Sequence, residues 1–196
     1  MLTVFGTIAL DTTRTPFHTV ERTLGGTATF ASISASNYVF TSIVGIVGHD
    51  FPASYLELLK NRVDIRGLTI SKIGKTFHYD SSFGYELSKR TTNKTELNVI
   101  SNYQSTIPEE YVDSEYVYLA NNDPLQNLNV LKLFSKPKLI ICDTMDFWIM
   151  NKRDEVIKMM NKVDGIILNE SEAKLLFKES NIFKCARLLN SNGPVF

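Results

Sequence analysis

Five short apolar runs with no polar alternation limit this fold most tightly: Leu2 to Ala9, Ile43 to Val47, Tyr116 to Leu119, Leu139 to Cys142 and Ile166 to Leu168. A strand that is apolar on both faces has to be covered on both sides, which is the situation of a parallel sheet between two helical layers. Helical spacing fills the intervals, around 26–37, 52–61, 125–134, 152–161, 171–178 and 180–190. Val156, Ile157, Met160 and Val163 have the spacing of a helix with one buried face. Alternating strands and helices predict an α/β, doubly wound, mostly parallel Rossmann-like sheet. With 196 residues, 43% hydrophobic and 21% charged, the chain is one domain or a large part of one.

Two segments break the rhythm. Phe17 to Thr23 alternates apolar and polar residues, and 75–102 reads as polar strands at Thr76–Tyr79, Phe83–Leu87 and Glu96–Val99. This is the texture of a small antiparallel sheet, wet on one face. Inserted into an α/β domain, it predicts a lid built from about 12–24 and 75–102.

The first fifty residues carry the richest chemistry. The apolar run that begins at Leu2 ends on Asp11, a carboxylate able to accept hydrogen bonds from hydroxyls. Gly25-Gly26 then precedes a helix of small residues, Thr27 to Ser36. A double glycine lets backbone amides approach a ligand that a Cβ would keep away. Together they suggest a pocket for a small polyhydroxylated molecule, although a strand-end aspartate and a turn before a helix each have a purely structural reading. Asn121-Asn122-Asp123-Pro124 and Asp143-Thr144-Met145-Asp146 follow two further strands and read either as turns or as extra contacts in a crevice at the strand ends. Asn169-Glu170-Ser171-Glu172 opens a helix, and an asparagine N-cap with Glu at the third position is also a capping box.

The order of these elements resembles the amino-terminal portion of ribokinase-like (PfkB-type) carbohydrate kinases. The resemblance implies a truncated sugar or nucleoside kinase, whose parent transfers the γ-phosphate of ATP to a hydroxyl of a small carbohydrate. It gives Asp11, Gly25, Gly26 and Thr29 to the acceptor, with Asn121 and Asp143 as added contacts. It gives Asn169 and Glu172 to Mg²⁺ and its waters, and a shared lid to a homodimer or higher oligomer. Where the family usually has an asparagine shortly after the glycines, this chain has Phe30 beside Thr29. The family's Gly-Ala-Gly-Asp segment, with its anion hole and catalytic aspartate, is not found in the sequence. No catalytic residue is therefore assigned. The chain alone is expected to be inactive, the next strand being due where Asn192 to Phe196 stand. The alternative is a non-catalytic sugar-binding module.

Other classes find little support. Lys+Arg and Asp+Glu balance at 21 each, so a phosphate-backbone partner is not expected. No run approaches a membrane span, and the first ten residues read as a core strand, not a leader, which makes the expected location cytoplasmic. Cys142 reads as a small buried hydrophobe. Gly74-Lys75-Thr76 ends like a phosphate loop, but the earlier glycine that such a loop needs falls at Thr69. His18, His49 and His78 lack metal-ligand spacing.

Overall fold

The computed structural model describes residues 1–191 and 193. The strands are β1 (Leu2–Phe5), β2 (Ala9–Arg14), β3 (Thr19–Gly25), β4 (Thr41–Val47), β5 (Asp64–Ile70), β6 (Phe77–Phe83), β7 (Arg90–Glu96), β8 (Tyr116–Leu119), β9 (Leu139–Asp143) and β10 (Gly165–Ile167). The α-helices are α1 (Thr27–Ala35), α2 (Ala53–Lys60), α3 (Pro124–Leu131), α4 (Asp146–Asn151), α5 (Arg153–Met160), α6 (Glu170–Phe177) and α7 (Ile182–Ser191).

Six strands form a parallel sheet in the order β10-β9-β8-β1-β4-β5. The chain starts at β1, winds outward through β4 and β5, and returns through β8 to wind the other way. The order therefore reverses between β1 and β8, where open α/β sheets leave a crevice at their carboxyl ends. Each face has its own core. Val4, Ile43 and Val47 pack with Ala28 and Leu59 on the side of α1 and α2. Their strand neighbours Phe5, Val44 and Ile46 join Val130, Trp148, Met159 and Leu176 on the other side. The period-two alternation of a strand thus divides one apolar run between two cores, as expected for a sheet covered on both faces.

The lid is a separate four-stranded sheet in the order β3-β2-β6-β7. It is mixed, contrary to the antiparallel expectation: β2 pairs in parallel with β6, while β2–β3 and β6–β7 are antiparallel. The run from Leu2 to Ala9 is likewise not one strand. β1 ends at Phe5, and Gly6-Thr7-Ile8 carries the chain out of the main sheet and into β2 of the lid. A side chain at Gly6 would place its Cβ 2.7 Å from that of Ala120, so this exit is tight. Asp11 consequently lies within a lid strand instead of at the tip of a core strand.

Four further features differ from expectation. Gly84 to Leu87 turns between β6 and β7, with Leu87 N donating to Gly84 O at 3.0 Å. Residues 98–102 form a 3₁₀ turn in place of a strand. β5 and α4 were not foreseen, because the charges in Asp64-Ile65-Arg66 hide an edge strand, and Asp146 reads as turn. The Gly74-Lys75-Thr76 segment roots the lid: Thr76 Oγ1 accepts from Gly48 N at 2.9 Å and donates to Asp50 at 2.8 Å. Asp50 also accepts from Arg22 of β3 at 2.6 Å, which ties both lid segments to the loop after β4. Asn192 and Pro194 to Phe196, where a next strand was expected, lie outside the described residues. Among the described residues no helix is long and apolar enough to cross a membrane.

Candidate active site

The crevice at the strand-order reversal holds a cleft of about 200 Å³, lined by residues from both sheets. Thr7, leaving β1, and Asn121, leaving β8, form its floor, with Thr7 N donating to Asn121 O at 3.3 Å. Gly26, Thr27 and Phe30 enter from the start of α1, while Asp11, Phe77, Tyr79 and Arg90 enter from the lid.

Asp11 sits where burial would ordinarily be avoided. Desolvation pushes its carboxyl up to about 6, although a hydrogen bond from the Gly26 amide and the charges of His78 and Arg90 pull the other way. Its Oδ1 is buried and has no hydrogen-bond partner among the described residues. A buried acceptor of this kind costs stability until something donates to it. The two glycines make the arrangement possible. A Cβ at Gly25 would fall 2.0 Å from Asp11 Oδ2. Gly26 has φ +94°, and a Cβ there would lie 2.3 Å from Thr7 O. Gly26 thus brings the start of α1 against the exit of β1, closer than any side chain would allow.

Thr27 is fixed by two contacts to the floor, Thr7 Oγ1 at 3.1 Å and Asn121 O at 3.1 Å. Thr29, expected to contact the acceptor, does not line the cleft. It is 1% exposed on the core side of α1, and its Oγ1 has no partner among the described residues. Helical periodicity explains the exchange: two positions along a helix face opposite ways, so Thr27 and Phe30 share the cleft face and Thr29 turns inward. Phe30 is 63% exposed, an aromatic surface at the mouth.

Asn121 lines the floor, its Nδ2 donating to Met145 Sδ at 3.3 Å and its Oδ1 buried without a partner among the described residues. Asp143 ends β9 but does not line the cleft. Its Oδ2 accepts from Tyr118 OH at 2.9 Å, and burial, with Glu172 nearby, raises its carboxyl to about 7. Asn169 and Glu172 form a full capping box at the start of α6: Glu172 N donates to Asn169 Oδ1 at 2.9 Å, and Asn169 N donates to Glu172 Oε2 at 3.0 Å. Burial and the charge of Asp146 raise Glu172, while Arg90 lowers it.

Arg90 was missed by sequence reasoning. It opens β7, its guanidinium stands 5.4 Å from the centre of the Tyr79 ring, and its charge reaches both Asp11 and Glu172. Nothing in Ser88-Lys89-Arg90 separates this arginine from an ordinary solvated one; only the pairing of β7 with β6 aims it inward. The cleft therefore combines a largely buried carboxylate, a lid-borne cation and aromatic surfaces. This is suited to binding a hydroxylated molecule and presenting one hydroxyl for reaction.

No family model matches the chain. A cytidine kinase of Thermococcus kodakarensis is 28% identical over 199 residues, covering 98% of this chain and 69% of that protein. Among solved structures, the nucleoside kinase of Methanocaldococcus jannaschii, an archaeal member of the ribokinase family, aligns with TM-score 0.73 and 20% identity over 96% of this chain. The nucleoside kinase of Burkholderia thailandensis in complex with inosine aligns with TM-score 0.79 and 12% identity over 92% of this chain. In both cases the chain spans 64% of the solved protein's length. The parallel sheet with its strand-order reversal, the separate lid and these likenesses agree on the fold: the chain has a ribokinase-like α/β fold and spans 64–69% of the length of these kinases.

Proposed function

We propose that this chain forms the acceptor-binding part of an ATP-dependent kinase acting on a hydroxyl of a small nucleoside or sugar, with nucleosides the first class to test. The observation that carries the reading is Asp11: a largely buried carboxylate on lid strand β2 that faces the start of α1 across the cleft, with Oδ1 lacking a donor among the described residues. Ionised, it accepts from an acceptor hydroxyl and fixes which hydroxyl is presented. The likeness to a cytidine kinase supports a nucleoside, and Phe30, Phe77 and Tyr79 offer apolar surface beside the carboxylate.

The donor set at α6 fits Mg²⁺ held indirectly. Glu172 and Asp146 are hard oxygen ligands close enough to raise Glu172, but the described residues contain no cluster of three metal-binding side chains. Asn169 and Glu172 would therefore act on the waters of the ion, which when bound offsets phosphate charge. Arg90 places a positive charge on the lid side of the same crevice.

The sequence has no Gly-Ala-Gly-Asp segment to supply an anion hole and a base. A general base contributes roughly 10²–10⁴-fold and one oxyanion-type donor roughly 10²–10³-fold. We propose that these 196 residues bind acceptor without turning it over. Calorimetric titration with cytidine, inosine and ribose, beside a coupled ADP-release assay, tests both parts. Binding abolished by Asp11→Asn, with no ADP release, is expected. Equal binding by the Asp11→Asn protein overturns the site, and ADP release above background overturns the inactivity.

The lid edges β3 and β7 are largely exposed, and Phe17 and Tyr85 stack edge-to-face at 5.9 Å on the same sheet's turns. Unpaired strand edges of this kind seek partners. We propose a homodimer or higher oligomer through the lid. Sedimentation at micromolar concentration is expected to show little monomer, and a monomer over that range overturns this.

A further inference from the structure

A second cavity, of about 250 Å³, shares no lining residue with the acceptor cleft. It lies between the 3₁₀ turn after β7, the start of α3, and α4. We propose that it is a second binding site, for a neutral planar heterocycle with an N–H donor, of nucleobase size.

Its walls suit a flat ring. Phe147 and Trp148 meet edge-to-face with centroids 4.8 Å apart at 80°, and Leu97 and Ile100 line the cavity with them. Its charges argue against an anion. Lys152 stands 5.6 Å over the Trp148 ring but is already bonded to Asp123 at 2.5 Å, and that carboxylate also lines the cavity.

Its hydrogen bonding calls for a donor. The backbone oxygen of Ile100 accepts from Gln126 Nε2 at 2.6 Å, which turns Gln126 Oε1 toward Asn122. Asn122 Nδ2 donates to that oxygen at 3.1 Å. The orientation of both amides is thus set by a backbone carbonyl, and Asn122 Oδ1 is left without a donor among the described residues, in a side chain only 3% exposed. An N–H on the ligand completes the series. The site also adjoins the acceptor cleft along the chain, since Asn122 follows Asn121 and Phe147 lies two residues beyond Met145.

Trp148 is the single tryptophan of the sequence, so its emission reports on this cavity. Adenine and cytosine are titrated with excitation at the red edge of tryptophan absorption, where the bases are transparent; 1,3-dimethyluracil, which lacks N–H, is the control. A saturable change with either base, absent with the control, is expected. Asn122→Leu is expected to weaken it about tenfold, the usual value of one hydrogen bond to a buried group. Should that variant fail to fold, Ser101→Phe, at the exposed rim, fills the cavity and is expected to abolish the change. Asp11→Asn is expected to leave it unaltered. No saturable change with either base overturns the proposal. So does a change lost in Asp11→Asn but kept in Asn122→Leu or Ser101→Phe, which would place the base in the acceptor cleft.

Discussion

The Cβ of any residue replacing Gly25 would fall 2.0 Å from Oδ2 of Asp11. Position 25 is therefore glycine because position 11 is a carboxylate turned toward it across the β2–β3 ladder, and the two residues form one structural unit. Gly25→Ala is expected to push the carboxylate aside and weaken acceptor binding at least about tenfold, as loss of a charge-assisted hydrogen bond does. Its cost in thermal stability should be smaller than that of Gly26→Ala, because what the new Cβ meets, Oδ2 at 2.0 Å and Cγ at 2.5 Å, is side chain and not backbone. Gly26→Ala is expected to be the reverse in kind. Its Cβ would meet backbone, with φ at +94°, and should cost about 1–3 kcal/mol in denaturant unfolding.

Asp11 sets opposing pH dependences for binding and for stability. Its folded pKa, about 6, lies above the ordinary 3.8, so the native state holds its proton more tightly than the unfolded chain. The stability it contributes is full below the ordinary value and is lost as pH rises through about 6. Asp11→Asn removes this dependence, and its stability relative to the parent should climb by roughly 2 kcal/mol between pH 4 and 7. Acceptor affinity of the parent is expected to move the other way, fading as pH falls through about 6 and the carboxylate is protonated. Unfolding and calorimetric titrations across that interval check both signs.

Thr27 and Thr29 separate the cleft face of α1 from its core face. Thr29→Val replaces a buried hydroxyl that has no partner among the described residues with a methyl of like size, and is expected to be neutral or slightly stabilising, with acceptor binding unchanged. Thr27→Val removes the contacts to Thr7 and Asn121 and is expected to lower stability by about 1 kcal/mol and weaken binding. Equal behaviour of the two variants would contradict the placement.

The capping box at α6 allows a structural role and a metal role to be measured apart. Asn169→Ala is expected to cost about 1 kcal/mol through the lost cap, read by thermal unfolding. Glu172→Gln keeps an oxygen for the Asn169 amide and should leave stability within about 0.5 kcal/mol. In a full-length kinase containing this segment, the same variant is expected to raise the Mg²⁺ concentration needed for half-maximal rate.

At the root of the lid, Asp50 accepts from Thr76 N at 2.7 Å, from Thr76 Oγ1 and from Arg22. These bonds hold its carboxyl below the ordinary value in spite of partial burial. Asp50→Ala is expected to cost about 1–3 kcal/mol and to speed amide exchange in β3 and β6 more than in the parallel sheet. Arg22→Ala removes only a half-exposed ion pair and should cost under about 1 kcal/mol.

Much of this was decided locally. Apolar runs such as Ile43 to Val47 admit no partner but a sheet covered on both faces, so the doubly wound architecture could be read from residue order alone. The capping box at Asn169 and Glu172 was equally legible, because both partners lie within one helical turn. Asp11 and Gly26 could be picked out from sequence order as candidates, and both line the cleft, but not the reason for Gly25, which depends on a carboxylate fourteen positions earlier. What tertiary structure alone decided concerns register and facing. The break of the first apolar run at Gly6 moved Asp11 from a core strand into the lid, the phase of α1 turned Thr29 inward and Thr27 outward, and the β6–β7 ladder aimed Arg90 at the cleft. A strand reverses its faces with every residue and a helix turns about 100° with each, so a shift of one position, invisible in composition or spacing, determines which side chains meet the ligand.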